Sequence, residues 1–332
     1  MGGDLRTLGE RARRAERAGF ESIWVAETSR TAFAQAAVVA QATSHALVGT
    51  DIALAFPRSP AITAMAARDL AELSEGRFVL GLGSQVKRVN ELRFSVPFEH
   101  PAPRMQEYVD VVRAVVGAFA GEPIDHRGRF YTVTMPPFPG APPAPGPIPV
   151  YIAAVNALMA EAAGRTADGV LGHPMTSARW VREVLRPSVE RGAEAAGRDP
   201  TDIDVTTGLI VQVSDDEDLA RREAAAQVGF YATTRTYRPV LAMHGFDELI
   251  EPLRRALVKG DMAEIARVAL PMVDTFAIAG TAGRCRARIE AFADVADRVI
   301  VGGAWIGPEP ERIEANQESI LDLLGPGGRA GP

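Results

Sequence analysis

Apolar residues recur along this chain with two alternating periods. Leu5, Leu8, Ala12 and Ala15 fall at helical spacing after Asp4, a helix-capping residue type, and Gly19 stands where a left-handed C-terminal residue belongs. The next run, 21–27 (ESIWVAE), is short and largely apolar, as a strand buried on both faces would be. The succession then repeats: helix 33–46, strand 50–56 (TDIALAF), a helix opened by Ser59 and Pro60 and stopped by Gly76, and strand 78–84 (FVLGLGS). A helix over 103–120 presents Met105, Val109, Val112, Val116 and Phe119 on one face. A hairpin is expected around 126–133 (HRGRFYTV), and 136–149 (PPFPGAPPAPGPIP) can only be loop. A strand from Pro149, a short helix, a strand from Asp168 and a long helix over 177–196 follow. A strand from Asp204 leads to a helix for which Ser214 and Glu217 are spaced as a capping box. The stretch 230–275 is mostly helical and irregular. The pattern resumes with a helix from about Ala282, a strand from Asp297 and a closing helix to about Leu324.

Alternating helices and near-continuous apolar strands predict a parallel sheet covered by helices, and at 332 residues a single (β/α)8 TIM-type barrel domain with an insertion at about 230–275. Seven core strands are legible, beginning near Glu21, Thr50, Phe78, Pro149, Asp168, Asp204 and Asp297. A closed barrel needs eight. The missing one is expected ahead of the first helix, where the chain has only MGGD, so the barrel is read as lacking its first strand or truncated there.

Charge narrows the partners. A formal net charge of -6 disfavours nucleic acid and anionic membrane, leaving a small-molecule substrate as the expected ligand. One cysteine, Cys285, permits no intramolecular disulfide and no cysteine-based metal cluster, and the histidines lack metal-ligand spacing. The amphipathic start is not a secretory signal and no apolar run reaches membrane-spanning length, so a cytoplasmic protein is expected.

In such a fold ligands bind just past the carboxyl ends of the strands. Those positions hold Glu27 and Thr28; Phe56, Pro57 and Arg58; Gly83, Ser84, Gln85 and Lys87; Ala154, Val155 and Asn156; His173 and Pro174; Gln212; and Trp305. The turn Gly81-Leu82-Gly83-Ser84 lets backbone amides approach an anion, Asn156 opens a helix whose first amides would do the same, and Arg58 and Lys87 add positive charge. Together they describe a phosphate cradle. Each has a plainer alternative: Glu27, a candidate proton-transfer group, could simply pair with an arginine, His173 could cap the following helix, and Trp305 could be core.

The same residues carry a resemblance. RAERAGFESIWVAE, IALAFPRSP, LSEGRFVLGLGSQ, the RGRFY hairpin, PVYIAA followed by GRTADGVLGHP, and DTFAIAGT ahead of DRVIV resemble the luciferase-like family in order and spacing. More narrowly they resemble its deazaflavin (F420)-dependent oxidoreductases. The resemblance implies a ring lying across the barrel mouth and a bulge in the strand ending at Phe56, with a cis non-proline peptide at Ala55–Phe56. It places the cofactor phosphate near Ser84 and Gln85 and near Ala153, Ala154, Val155 and Asn156. Thr28 stands where many relatives have histidine. The expected activity is hydride transfer between F420 and an organic small molecule, with Glu27 and His173 as candidate catalytic groups. An FMN-dependent monooxygenase and a repurposed, non-enzymatic barrel are the alternatives. The Ala-rich helix 33–46, with small apolar residues on more than one face, predicts a homodimer.

Overall fold

The computed structural model describes residues 4–140 and 142–324. The strand looked for ahead of the first helix falls mainly on residues 1–3, outside the described residues. The chain divides into two compact units, one formed by residues up to 171 together with 188–204, the other by 172–187 and the residues from 205 onward.

The first unit opens with α1 (Leu5–Arg17), whose buried Leu8, Ala12 and Ala15 form the expected face and whose cap, Asp4, accepts the Arg6 N–H at 3.0 Å. Gly19 has φ 91°, the left-handed conformation that ends the helix. β1 (Ser22–Val25), α2 (Ala32–Ala42), β2 (Leu47–Thr50), β3 (Ala53–Leu54), α3 (Pro60–Leu73) and β4 (Phe78–Gly83) follow. Ser59 caps α3, with Pro60 in its first turn. α4 (Lys87–Arg93) and α5 (Pro101–Phe119) lead to the expected antiparallel hairpin, β5 (Ile124–Arg127) with β6 (Thr132–Met135). The Glu107 carboxylate on α5 fastens that hairpin by accepting the N–H groups of Phe130 (3.0 Å) and Tyr131 (2.7 Å). β7 (Val150–Ala154), α6 (Ala157–Thr166) and β8 (Gly169–Gly172) complete the alternation. The order β1-β2-β4-β7-β8 is sequential, and β1 with β2, β2 with β4 and β4 with β7 pair in parallel.

The expected strand 50–56 is two strands. β2 pairs with β4 as Val48↔Phe78 and Gly49↔Val79, whereas β3 pairs with it as Ala53↔Leu82 and Leu54↔Gly83. From 49 to 53 the chain takes four steps where β4 takes three, so one extra residue is inserted: a bulge at 50–52. The cis non-proline peptide lies in it, at Asp51–Ile52. The expected Ala55–Phe56 bond is thus corrected. The resemblance had assigned the irregularity to the end of one unbroken strand, and the register moves it four residues earlier.

α2 lies against α1 and α3, and of its 11 residues only Ala34 and Gln41 are exposed. The apolar surface from which a dimer was expected is therefore covered within the chain; exposed apolar side chains occur instead on α3, at Ile62 and Met65.

The second unit contains α7 (Ala178–Trp180), running into a π turn (Val181–Leu185). From Ser188, α8 (Arg186–Ala195) belongs to the first unit. β9 (Asp204–Val213), entering the second unit at Val205, pairs in parallel with both β10 (Ala277–Gly280) and β11 (Arg298–Gly302). β10 is absent from the seven strands legible in the sequence, because AIAG is four residues long and follows directly on a helical stretch. Between them α9 (Glu217–Ala232), α10 (Arg238–Met243), α11 (Ile250–Lys259), α12 (Met262–Ala269) and α13 (Val273–Phe276) give the helical, irregular region expected over 230–275. α9 is capped by Asp216, whose side chain accepts the Leu219 N–H at 2.9 Å. Ser214, expected to cap it, instead accepts the Asp216 N–H, because the helix starts two residues later. α14 (Ala282–Glu290) and α15 (Pro310–Leu324) close the unit.

Candidate functional site

In the first unit β3, β4 and β7 are neighbours, and their registers (Leu54↔Gly83, Leu82↔Ile152) bring three carboxyl ends side by side. The loops leaving them carry Ala55 and Phe56, then Gly83, Ser84 and Gln85, then Ala153, Ala154, Val155 and Asn156. Sequence residues scattered over a hundred positions therefore share one edge.

Backbone geometry differs at each end. After β4, Gln85 adopts φ 57°, a left-handed conformation uncommon for a side-chain-bearing residue. The buried Asn90 fixes this turn by donating to the carbonyls of Ser84 (2.8 Å) and Val86 (3.1 Å), while its own Oδ1 is buried with no hydrogen-bond partner. Nothing in the sequence singles out Asn90, which stands in the largely polar run 87–91 (KRVNE). After β7, Asn156 caps α6 by accepting the Met159 N–H at 3.1 Å, as expected. Ser84, Gln85, Ala153 and Val155 are partly exposed and Asn156 is exposed, whereas Ala55 and Phe56 are buried. Phe56 packs against Phe98 and beneath the Arg104 guanidinium, 4.4 Å from its ring centroid.

The expected cations are engaged. Arg58 forms a bidentate ion pair with Glu27 and also donates to the Leu54 carbonyl at 3.0 Å, and the Leu54 N–H donates to Glu27 at 2.8 Å. The pair is largely enclosed, with side chains 8% (Glu27) and 21% (Arg58) exposed, so it staples β1's end to the turn after β3. Lys87 is 68% exposed and lies 3.6 Å from Glu91. Apart from the exposed Lys87, the donors this edge offers an anion are neutral: the Ser84 hydroxyl, the Gln85 amide and the first amides of α6. That set suits a phosphate monoester or diester held by backbone and hydroxyl groups.

His173 stands in the second unit. Its Nδ1 accepts the Met175 N–H at 2.9 Å, so the neutral ring carries its proton on Nε2 and donates it to the Tyr237 hydroxyl at 2.9 Å. Tyr231 packs edge-on against the same ring. Burial pushes the His173 pKa down to about 3, which fixes the imidazole as neutral near pH 7. Also in this unit, Trp305 is half exposed rather than core, and Gln212 is buried, its amide accepting the Ala304 N–H at 2.8 Å. Among the described residues no cluster of His, Cys, Asp or Glu could hold a metal ion, and no helix is long and apolar enough to cross a membrane.

One candidate was missed from sequence. Asp51 occupies the bulge between β2 and β3, one strand end from Glu27. In the run TDIALAF it looked like an ordinary strand residue; a carboxylate amid apolar neighbours was the available signal.

The family model for luciferase-like monooxygenases matches residues 1–298. This chain belongs to that family. An uncharacterised protein of Mycobacterium tuberculosis is 39% identical over 320 residues, covering 93% of this chain and 91% of that one. The 5,10-methylenetetrahydromethanopterin reductase of Methanolobus tindarius is 32% identical over 325 residues, covering 95% and 93%. The structure of the coenzyme F420-dependent tetrahydromethanopterin reductase of Methanopyrus kandleri superposes with a TM-score of 0.82 at 25% identity, covering 97% of this chain and 94% of that one. The expected TIM-type α/β fold is thereby established, and the resemblance drawn from the sequence motifs holds along nearly the whole chain.

Proposed function

We propose that this family member is an F420-dependent oxidoreductase that moves hydride between the deazaflavin and an organic small molecule. The observation that carries the reading is the shared edge formed by the ends of β3, β4 and β7, which sets the left-handed turn at Gln85 beside the N-terminus of α6, with the bulge at 50–52 just ahead of β3. Support comes from the F420-dependent reductase that this chain matches in fold over 97% of its length.

In this reading Ser84 and Gln85, with the amides that follow Asn156, hold the cofactor phosphate, and the backbone of 51–56 lies against the ring. Bound there, the deazaflavin supplies a hydride-carrying carbon. The protein's part is to fix a substrate carbon opposite it and to keep water from the reacting atoms. Glu27 and Arg58 position the 53–58 turn. His173, neutral and hydrogen-bonded at both nitrogens, serves as a fixed hydrogen-bonding group rather than a proton carrier. FMN is the second reading, favoured by the monooxygenase description of the family.

Fluorescence titration of the purified protein with F420 and, separately, FMN tests the reading. Saturable binding of F420 at micromolar concentration, tighter than FMN, is expected. Tighter FMN binding selects the monooxygenase reading, and binding of neither leaves a barrel that has lost its cofactor. The homodimer is tested by light scattering against the 35.4 kDa monomer mass.

A further inference from the structure

The bulge between β2 and β3 adds one residue to a strand end that already borders the proposed ring site, and bulges of this kind re-aim a side chain. Most of its polar backbone is committed. The Asp51 N–H donates to the Val25 carbonyl at 2.9 Å, and the Ile52 carbonyl accepts the Glu27 N–H at 3.1 Å. The Ile52 side chain fills the space over Gly83, where an added Cβ would come within 2.0 Å of its Cδ1. The Asp51 carboxyl is different: it accepts no hydrogen bond and forms no ion pair with any other described side chain. The residue is partly exposed, while protein crowds the carboxyl closely enough to disfavour its charged form.

We propose that Asp51 is the proton-exchanging group of this site, a carboxylic acid that serves the substrate while hydride moves at the neighbouring carbon. The proposal rests on the F420 reading above. In the reductive direction a substrate carbonyl carbon takes hydride from the reduced deazaflavin and the C=O π pair moves onto oxygen. The Asp51 O–H bond breaks, the new substrate O–H bond forms, and solvent reprotonates the carboxylate. In the oxidative direction the carboxylate takes the alcohol proton as hydride leaves the carbon. Both directions need a carboxyl that changes state near neutral pH, and burial raises the Asp51 pKa to about 6. The charged groups on adjacent elements are already paired: Glu27 at the end of β1 with Arg58 after β3, and Lys87 with Glu91 on α4; β2, β4 and α2 carry none.

The test is F420 binding by the full chain between about pH 5 and about pH 8, for the parent protein and for Asp51→Asn. A ring lying over the carboxyl removes its remaining solvent and favours the protonated form. Parent affinity is therefore expected to fall roughly tenfold as pH rises through that window, while Asp51→Asn stays flat apart from any titration of the cofactor itself, which both proteins share. Infrared difference spectra of the F420-bound parent give a second readout. They should show the carbonyl stretch of a protonated carboxyl at low pH, absent in Asp51→Asn, and this readout still decides if the variant folds without binding. Identical pH profiles in two proteins that both bind F420, or no such band in the parent, would overturn the role of Asp51 and leave the cofactor reading intact. Binding of neither F420 nor FMN by the parent at any pH would overturn both.

Discussion

Thr50 and Gly81 clasp each other twice: the threonine hydroxyl donates to the Gly81 carbonyl at 2.7 Å and accepts the Gly81 N–H at 2.9 Å. The clasp sits where the β2–β4 ladder gives way to the bulge, so a side chain satisfies the backbone groups that the extra residue throws out of register. It needs glycine at 81, because a Cβ there would lie 1.8 Å from the Thr50 carbonyl oxygen, a backbone atom that cannot move aside alone.

Gly81→Ala is therefore expected to cost about 3 kcal/mol or to prevent folding. Gly283, which has open space at its Cβ position within α14, is the control, and Gly283→Ala should be neutral or slightly stabilising. Urea midpoints measure both. Equal midpoints for the two variants would mean that the clasp is dispensable.

The Glu27–Arg58 pair predicts strong coupling. With side chains 8% and 21% exposed, removing either partner leaves a charge in a poorly hydrated place, so Glu27→Gln and Arg58→Met should each destabilise by about 2 to 4 kcal/mol. The double variant should lose clearly less than the sum, with a coupling energy above about 1 kcal/mol. Additive losses would show two independent side chains.

Two groups crowded by protein oppose each other as pH changes. Asp51 has its folded pKa raised from 3.8 to about 6 by burial. Its contribution is complete below the unfolded value and is lost as pH rises through the folded one, about 2 kcal/mol allowing for its contact with solvent. Asp51→Asn should therefore raise the melting temperature at about pH 8 and leave it nearly unchanged at about pH 4. A variant destabilised at both would contradict the shift.

His173 has its folded pKa depressed from 6.5 to about 3 by burial, so its contribution is full above 6.5 and declines as pH falls. Between about pH 7 and about pH 5 the parent should lose about 1 to 2 kcal/mol that His173→Asn does not lose. Parallel stability curves for the two proteins over that interval would rule this out.

Legibility of the sequence followed the physics of each element. Helices announced themselves through caps, as at Asp4, Ser59 and Asn156, because those residues act within a few positions along the chain. Strand ends were placed well enough that Ser84, Gln85 and the segment from Ala153 to Asn156 came out as neighbours, since parallel β/α alternation leaves little freedom in strand order. The resemblance implies a bulge in the strand ending at Phe56, but its place at 50–52 and the clasp at Gly81 are not legible, because both are decided by register against a strand about thirty residues away. That Glu27 pairs with an arginine is legible, since strand-end carboxylates commonly do, but not that Arg58 is the partner, and Asp51 is hidden because a strand pattern absorbs one polar residue without complaint.

The cofactor edge gives the final prediction. Ser84 is partly exposed, its hydroxyl donates only to the neighbouring Gln85 carbonyl at 3.2 Å, and the turn around it is held by Asn90 rather than by Ser84 itself. A substitution there should leave stability nearly unchanged while altering whatever binds. Ser84→Asp places a carboxylate where the proposed phosphate is held by neutral donors, with Arg58 already neutralised by Glu27 and Lys87 beside Glu91. F420 affinity should fall by roughly tenfold to a hundredfold, a loss of about 1 to 3 kcal/mol. Ser84→Ala removes one hydroxyl donor without adding charge and should cost about threefold to tenfold. Asn90→Leu, by contrast, frees the turn and should weaken binding together with a drop in melting temperature. A Ser84→Asp protein that binds F420 as tightly as its parent would place the phosphate away from the β4–β7 edge, even if the cofactor itself is correct.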